Sequence, residues 1–251
     1  MLYPSDLTDK EWQIIQTILP TRRTTGFKRK YSERELLNAI FYINKTGCQW
    51  RYLPLNYPPW KSVHKYLTDL NNKGAFEKIN DELREKVREK SKREKSPSLV
   101  CIDSQSVKGD INLEDKGTDG NKKVKGRKRH IVVDVLGLIL FCTITAANIS
   151  DIHPGKGFIP DLTSLPRLKK VLVDKAYQGM NGNYENFNVE ISSKRPEQFG
   201  FIPIHKRWVV ERTFAWLSRQ RRLAKEYEFK IDHQKAMIYT AMSRIMLRRL
   251  V

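Results

Sequence analysis

The chain has 251 residues, with 47 lysines and arginines against 28 aspartates and glutamates, so its formal net charge is +19. A charge this positive favours a nucleic-acid partner, although it does not define a fold. Hydrophobic residues make up 39% of the chain, which is enough for a packed core and excludes a disordered basic tail. The length fits one large domain or two smaller ones.

The N-terminus and the cysteines predict a cytoplasmic protein that is not attached to a membrane. The first residues lack the basic region and apolar core of a signal peptide. The longest apolar run, 135–142, is too short to span a bilayer. The three cysteines, Cys48, Cys101 and Cys142, are scattered and match neither a zinc-ligand spacing nor a disulfide framework.

Residues 1–95 predict an all-helical N-terminal domain. Ser5 or Thr8 can cap a first helix, and Ser32 with Glu35 three residues later forms a capping box for a second. Apolar residues at helical spacing then predict further helices over 59–70 and about 74–92.

The second and third of these helices do not predict a strict helix-turn-helix. Their link, 46–58, is far longer than the about three or four residues which that motif uses.

From residue 96 the apolar spacing changes from helical to strand-like, which predicts an α/β domain with a mixed sheet over 96–251. Between the first two strands we expect a polar, glycine-rich loop at 108–126. The predicted strands are 99–103, 129–134, 138–145, 169–174 and 188–192, and the predicted helices are 208–222 and 233–249.

Three acidic residues lie at positions that are not typical of solvent-exposed surface carboxylates. Asp103 and Asp174 each end a short apolar run typical of a buried strand, and Glu211 opens an arginine-rich helix. Burying a carboxylate at the end of a strand costs free energy unless a positive group pairs with it. Two strand-end aspartates and a helical glutamate can converge on divalent metal, as two-metal phosphoryl transfer requires. Taken singly, each acid also fits a turn, a cap or a helix N-terminus.

Asp134 also ends an apolar run, but it directly precedes the Leu136–Gly137 turn of a predicted hairpin. An Asx-turn explains it, so we leave it out of the candidate site.

Two basic segments, 122–130 and 206–225, predict contacts with DNA phosphates. The first contains no acid and the second contains only Glu211, whereas solvated helix faces normally mix both signs. We expect backbone contacts that give affinity rather than sequence reading, and for His130 and His205 a phosphate or surface role rather than metal ligation. The candidate DNA-binding residues are Lys122, Lys123, Lys125, Arg127, Lys128, Arg129, Arg207, Arg212, Arg219 and Arg222.

Several segments together resemble bacterial insertion-sequence transposases of the DDE class, in the branch of insertion sequences four and five. The resemblance is carried by IDSQSVK, KGRKRH, DKAYQG and HKRWVVERTFAWL, and by YPSDLT, GCQWRYLP and RRL nearer the two ends. These segments lie at 102–108, 125–130, 174–179, 205–217, 3–8, 47–54 and 248–250.

The resemblance implies an RNase H-like catalytic domain over 96–251 in which Asp103, Asp174 and Glu211 bind Mg²⁺, with Mn²⁺ able to substitute. In that fold the first and fourth strands are neighbours. The implied reaction is hydrolysis at a transposon end to free a 3′-OH, followed by attack of that hydroxyl on target DNA. The implied partner is double-stranded DNA, both ends and target, bound by a possible homodimer in the bacterial cytoplasm at the nucleoid. Residues 1–95 would recognise the ends.

Two positions depart from the family pattern and leave alternatives open. Where the family carries a tyrosine seven residues before the glutamate, this chain has Ile204. Where the family helix carries a lysine seven residues after the glutamate, this chain has Ser218. Arg222 lies one turn further on, and our hypothesis is that it partly substitutes. The segment between Asp174 and Glu211 is also short for the family. Two other functions therefore remain: an RNase H-like nuclease that does not join strands, and a catalytically inactive DNA-binding protein derived from a transposase.

Overall fold

The computed structural model describes residues 3–21, 30–192 and 208–251. The N-terminal part is helical, as predicted, and the capping boxes at Thr8 and Ser32 both form. The helices are α1 (Asp9–Ile15), α2 (Glu33–Thr46), α3 (Trp60–Asn71) and α4 (Ala75–Lys90).

A mixed sheet follows, with short helices inserted in it and two longer helices after it. Its strands are β1 (Leu99–Lys108), β2 (Gly117–Asp119), β3 (Val124–Asp134), β4 (Ile139–Ala146), β5 (Lys170–Val173), β6 (Gly182–Asn183) and β7 (Asn188–Ile191). The other helices are α5 (Ile152–Gly157), α6 (Ile159–Thr163), α7 (Trp208–Ser218) and α8 (Ile231–Leu250).

The sheet has the RNase H-like arrangement that the resemblance implied. β1 pairs antiparallel with β3 on one side and parallel with β5 on the other, and β5 continues parallel to β7. β3 pairs on its outer edge with β4 and β2. The predicted first and fourth strands, now β1 and β5, are therefore neighbours, and the predicted fold class is confirmed.

Three predicted boundaries are wrong by four residues or more, and one of them is the start of β3, which lies at Val124 rather than at residue 129. β1 does not end at Asp103 but runs on to Lys108, because its pairing with β3 continues to the Lys108–Gly126 pair and holds polar residues in the ladder. The expected loop at 108–126 accordingly shrinks and contains β2. The helix predicted over 208–222 ends at Ser218, and a separate 3₁₀ turn follows at Arg221–Leu223.

The sheet separates two apolar clusters. On one face α7, α8 and the N-terminal helices share a single cluster, in which Ile40 and Leu83 join Cys101 and Met242. On the other face α5, α6 and a 3₁₀ helix at Lys175–Met180 cover the sheet. The helical region and the sheet thus share one core, although their sequence patterns differ.

None of the helices in the described parts of the chain is both long and apolar enough to cross a bilayer.

Candidate active site

Asp103 and Asp174 come from neighbouring parallel strands at the same level. The register of β1 and β5 pairs Leu99 with Lys170 and Cys101 with Leu172. Asp174 keeps an extended backbone, with φ −90° and ψ −179°. Continuing the register by two residues therefore sets Asp174 beside Asp103. Because side chains alternate along a strand, both aspartates project to the face that holds Cys101 and Leu172.

The local backbone holds each of these carboxylates. The Ser104 amide donates to Asp103 Oδ1 at 2.7 Å, and the Ala176 amide donates to Asp174 Oδ1 at 2.9 Å. Burial raises the pKa of Tyr177, and the negative charges of Asp151, Asp103 and Asp174 raise it further. The charges of both aspartates thus act on the same tyrosine.

Glu211 lies in the first turn of α7, which packs against β1 and β3. Val210, Phe214 and Leu217 bury one side of this helix in the cluster that contains Cys101. Glu211 lies on its exposed side. The helix that carries the glutamate therefore covers the sheet face toward which the two aspartates project.

The three acids suit a hard divalent cation in chemistry, since such ions prefer carboxylate oxygens. They are not gathered, however: among the described residues no three His, Cys, Asp or Glu side chains are close enough together to hold a metal ion. The strand register brings the two aspartates side by side, and no third described His, Cys, Asp or Glu side chain completes a metal-binding group with them.

On the opposite face of β1, Asp151 links the strand to its neighbour, a role that sequence analysis missed. Its Oδ1 accepts from Ser104 Oγ at 2.8 Å and lies 3.1 Å from Lys128 Nζ. Lys128 Nζ also donates to the Ile149 carbonyl at 2.8 Å. The bridge braces the residue next to Asp103. The sequence signal was weak, because Asp151 follows a strand and resembles any polar turn residue.

His130 is buried in this same layer, so the predicted phosphate or surface role is wrong. Its Nε2 lies 3.0 Å from Thr145 Oγ1, and its Nδ1 lies 3.5 Å from Tyr177 Oη and 3.7 Å from Asp151 Oδ1. Burial lowers the pKa of His130 to about 4, although the charge of Asp151 opposes that shift. His205 lies outside the described residues.

Arg127, Lys128 and Arg129 were predicted to contact phosphates, and the structure corrects this, because all three are buried. Arg127 donates to the carbonyls of residues 114, 228 and 229. Arg129 pairs with Glu226 at 2.5 Å and also donates to the Leu223 carbonyl at 2.9 Å. Their hydrogen-bonding capacity is directed at the protein interior.

Arg222 requires the same correction. It is 5% exposed, pairs with Glu228 at 2.6 Å and donates to the Cys48 carbonyl at 3.2 Å. It also lies beyond the end of α7, so it does not share a helix face with Ser218. The hypothesis that Arg222 substitutes for a lysine at position 218 is therefore wrong.

The other predicted DNA contacts differ in exposure. Arg212 is half-buried between Trp208 and Trp216, with its guanidinium carbon 4.4 and 4.8 Å from the two ring centroids. Arg207 lies outside the described residues. The remaining four are exposed: Lys122, Lys123, Lys125 and Arg219.

Asp134, which we left out of the site, forms the expected Asx-turn. It accepts from the amides of Leu136 and Leu138, each at 2.9 Å, and pairs with Arg88. The prediction for this residue is confirmed.

A chain with this sheet, two aspartates side by side on neighbouring parallel strands and a covering helix with a glutamate belongs to a known class. The family described as "Transposase DDE domain" matches residues 94–246, more than half of the chain, and the chain belongs to that family. The family described as "Putative transposase of IS4/5 family" matches residues 7–80. The resemblance to insertion-sequence DDE transposases, seen in the sequence motifs, is thus confirmed.

One curated relative is the "Putative transposase for insertion sequence element IS402" of Burkholderia cepacia. It is 32% identical over 124 residues, which is 45% of this chain and 59% of the relative. The alignment with this relative thus spans less than two thirds of its length.

Proposed function

We propose that this protein is a DNA transposase that cleaves at the ends of its element and joins the freed 3′-OH to target DNA. The observation that carries the proposal is the register of β1 and β5, which sets Asp103 beside Asp174 under the helix that bears Glu211. Family membership supports the same reaction class.

In this proposal Asp103 and Asp174 hold divalent metal, and Glu211 completes the set. The metal, Mg²⁺ with Mn²⁺ as a substitute, would supply activation of the attacking oxygen and stabilisation of the leaving oxygen. The Ser104 and Ala176 amides orient the two aspartates by donating hydrogen bonds to them.

The substrate in this proposal is double-stranded DNA, both transposon end and target, bound by a homodimer. Lys122 and Lys123 support DNA binding, since both are exposed in the turn between β2 and β3. Asp119 holds this turn by accepting from the amides of Asn121 and Lys122, each at 3.0 Å. Residues 1–95 would recognise the ends.

The test is a two-stage assay with the full chain and the DNA that flanks its own gene. The first stage measures Mg²⁺-dependent nicking of duplex ends, and the second measures joining of a pre-cut 3′-OH end to a plasmid. Both activities are expected. Nicking without joining would instead identify an RNase H-like nuclease.

A second candidate, an inactive transposase-derived DNA-binding protein, is favoured by two observations. Ser218 carries no charge and Arg222 is engaged elsewhere, and the described acids form no assembled metal group. DNA binding without nicking or joining, in Mg²⁺ and in Mn²⁺, would establish this candidate and overturn the transposase proposal.

A further inference from the structure

The turn after α2 is fixed against the segment after α7. Gly47 ends α2 with φ +72°, and a Cβ there would lie 2.9 Å from Arg221 Cβ, so only glycine allows this approach. Lys45 Nζ donates to the Arg219 carbonyl at 3.4 Å, and Arg222 Nη1 donates to the Cys48 carbonyl at 3.2 Å. The N-terminal helices and the region after α7 thus present one continuous surface.

The two segments at this contact expose no acidic side chain. Residues 45–61 contain no aspartate or glutamate, and residues 212–230 contain only Glu226 and Glu228. Both glutamates are buried, at 0% and 4% exposure. Glu228 accepts from Arg222 and from Trp50 Nε1, the latter at 3.2 Å. The exposed charges contributed by these two segments are therefore all positive.

We call the exposed residues at this contact the junction surface. Two of them are apolar or aromatic, since Tyr52 is 75% and Leu55 is 102% exposed. The junction surface consists of Lys45, Arg51, Tyr52, Leu55, Arg219, Arg221 and Lys225.

We propose that the junction surface binds the backbone of duplex DNA. This inference rests on the proposed function and adds a contact to it that spans both parts of the chain. A solvated surface normally mixes charges, whereas these five cations come from two segments that expose no acid, so they attract phosphates and displace the counterions of the DNA. Tyr52 and Leu55 supply apolar contact to the sugar edges between those phosphates.

The junction surface begins where α7 ends. Glu211 and Ser218 are both on the exposed side of that helix, and Arg219 follows directly. At 1.5 Å per residue, Glu211 and Ser218 are separated by about 10 Å along the helix axis. A duplex that follows α7 from the proposed site would therefore reach the junction surface after about three base pairs, at about 3.4 Å per pair.

The experiment compares two double variants that remove the same charge. The junction variant, Arg51→Gln with Arg221→Gln, removes one cation of the junction surface from each of the two segments. Lys65→Gln with Lys78→Gln is the matched control, because these lysines pair with Asp69 and Glu82 on α3 and α4. Binding of the full chain to a labelled 30-base-pair duplex is measured by fluorescence anisotropy at several salt concentrations, without Mg²⁺.

The slope of log affinity against log salt is expected to fall by about 2 for the junction variant, at about 0.9 per lost phosphate contact. The control is expected to keep its slope. Equal losses in both variants would show a general charge effect, and unchanged slopes in both would show no contact. Either result overturns this inference while leaving the proposed function in place. A wild-type chain without affinity for DNA would overturn both.

A second variant examines the apolar part. Tyr52→Ala with Leu55→Ala is expected to weaken binding several-fold while the salt slope stays unchanged, because no cation is lost. If the variant instead keeps its DNA affinity and lowers the molecular mass in solution, the surface is an interface between two copies of the chain. That result overturns the DNA assignment of these two residues.

Discussion

Arg129 and Glu226 form an ion pair of 2.5 Å between β3 and the segment before α8, with side chains that are 1% and 0% exposed. Removing one member of such a pair leaves a buried charge without a partner, which costs about 3–5 kcal/mol. Arg129 thus stabilises the fold, although it lies in the basic segment 122–130.

We therefore expect Arg129→Met to lower the free energy of unfolding by about 3 kcal/mol or more. The double variant Arg129→Met with Glu226→Met is expected to recover most of this loss, because no unpaired charge remains. Urea denaturation measures both. The control is Lys123→Met, an exposed position in the same segment, with a change within about 0.5 kcal/mol. Equal losses in Arg129→Met and the control would show that the pair contributes nothing.

We expect substitutions of Asp103, Asp174 and Glu211 to abolish DNA cleavage without weakening DNA binding. Asp103→Asn, Asp174→Asn and Glu211→Gln should each abolish DNA nicking, because metal coordination needs the anion. DNA affinity should stay the same or rise, since a negative charge has been removed. Nicking and anisotropy assays on the same preparations measure the two effects, with the exposed Asp161→Asn as the control. Any variant that nicks within a few-fold of wild type removes its residue from the site.

The placement of Asp103 and Asp174 on neighbouring strands could be predicted from the sequence, because the apolar runs before them locate the two strands and the family resemblance makes those strands neighbours. The burial of Arg129 could not, since its partner Glu226 lies 97 residues further along the chain. A run of lysines and arginines has the same sequence pattern whether its partners are DNA phosphates or distant glutamates. For a similar reason the end of α7 at Ser218 was missed, because packing of the next segment against Gly47 is a tertiary effect.

Ser218 and Arg222 are expected to act independently. Ser218 is exposed at the end of α7, so Ser218→Lys adds a cation near the proposed DNA path and should raise DNA affinity several-fold at low salt. Arg222→Ala should instead destabilise the fold, because Glu228 then lies buried without its partner. A double-mutant cycle on DNA affinity and unfolding free energy should be additive. A coupling above about 0.5 kcal/mol would restore the compensation hypothesis.

Gly47 and Gly74 provide a matched pair for the contact at the junction surface. Both have positive φ, +72° and +60°, but a Cβ at Gly47 meets Arg221 whereas nothing lies within 4 Å of one at Gly74. Each Gly→Ala variant carries a backbone cost of about 1–2 kcal/mol. Gly47→Ala should cost more by a further kcal/mol or so, about the cost of overpacking. Equal unfolding free energies in urea would mean that the contact yields easily.

His130 predicts how stability depends on pH. Its pKa is lowered to about 4 in the folded protein, against about 6.5 in an unfolded chain. Below pH 6.5 the unfolded state therefore binds the proton more readily, and stability falls as the pH drops from 6.5 toward 4. The largest loss from this residue is on the order of 3 kcal/mol, at about 1.4 kcal/mol for each pH unit.

The pKa values of His64 and His233 are also lowered, chiefly by burial, so they contribute in the same direction and the wild-type slope is a sum. His130→Gln should flatten the slope of unfolding free energy between pH 4 and 6.5, measured by urea denaturation at each pH. His153→Gln, at an exposed position, should leave it unchanged. If His130→Gln keeps the wild-type slope, His130 accepts its proton without unfolding, and Asp151 at 3.7 Å is the acid placed to stabilise it.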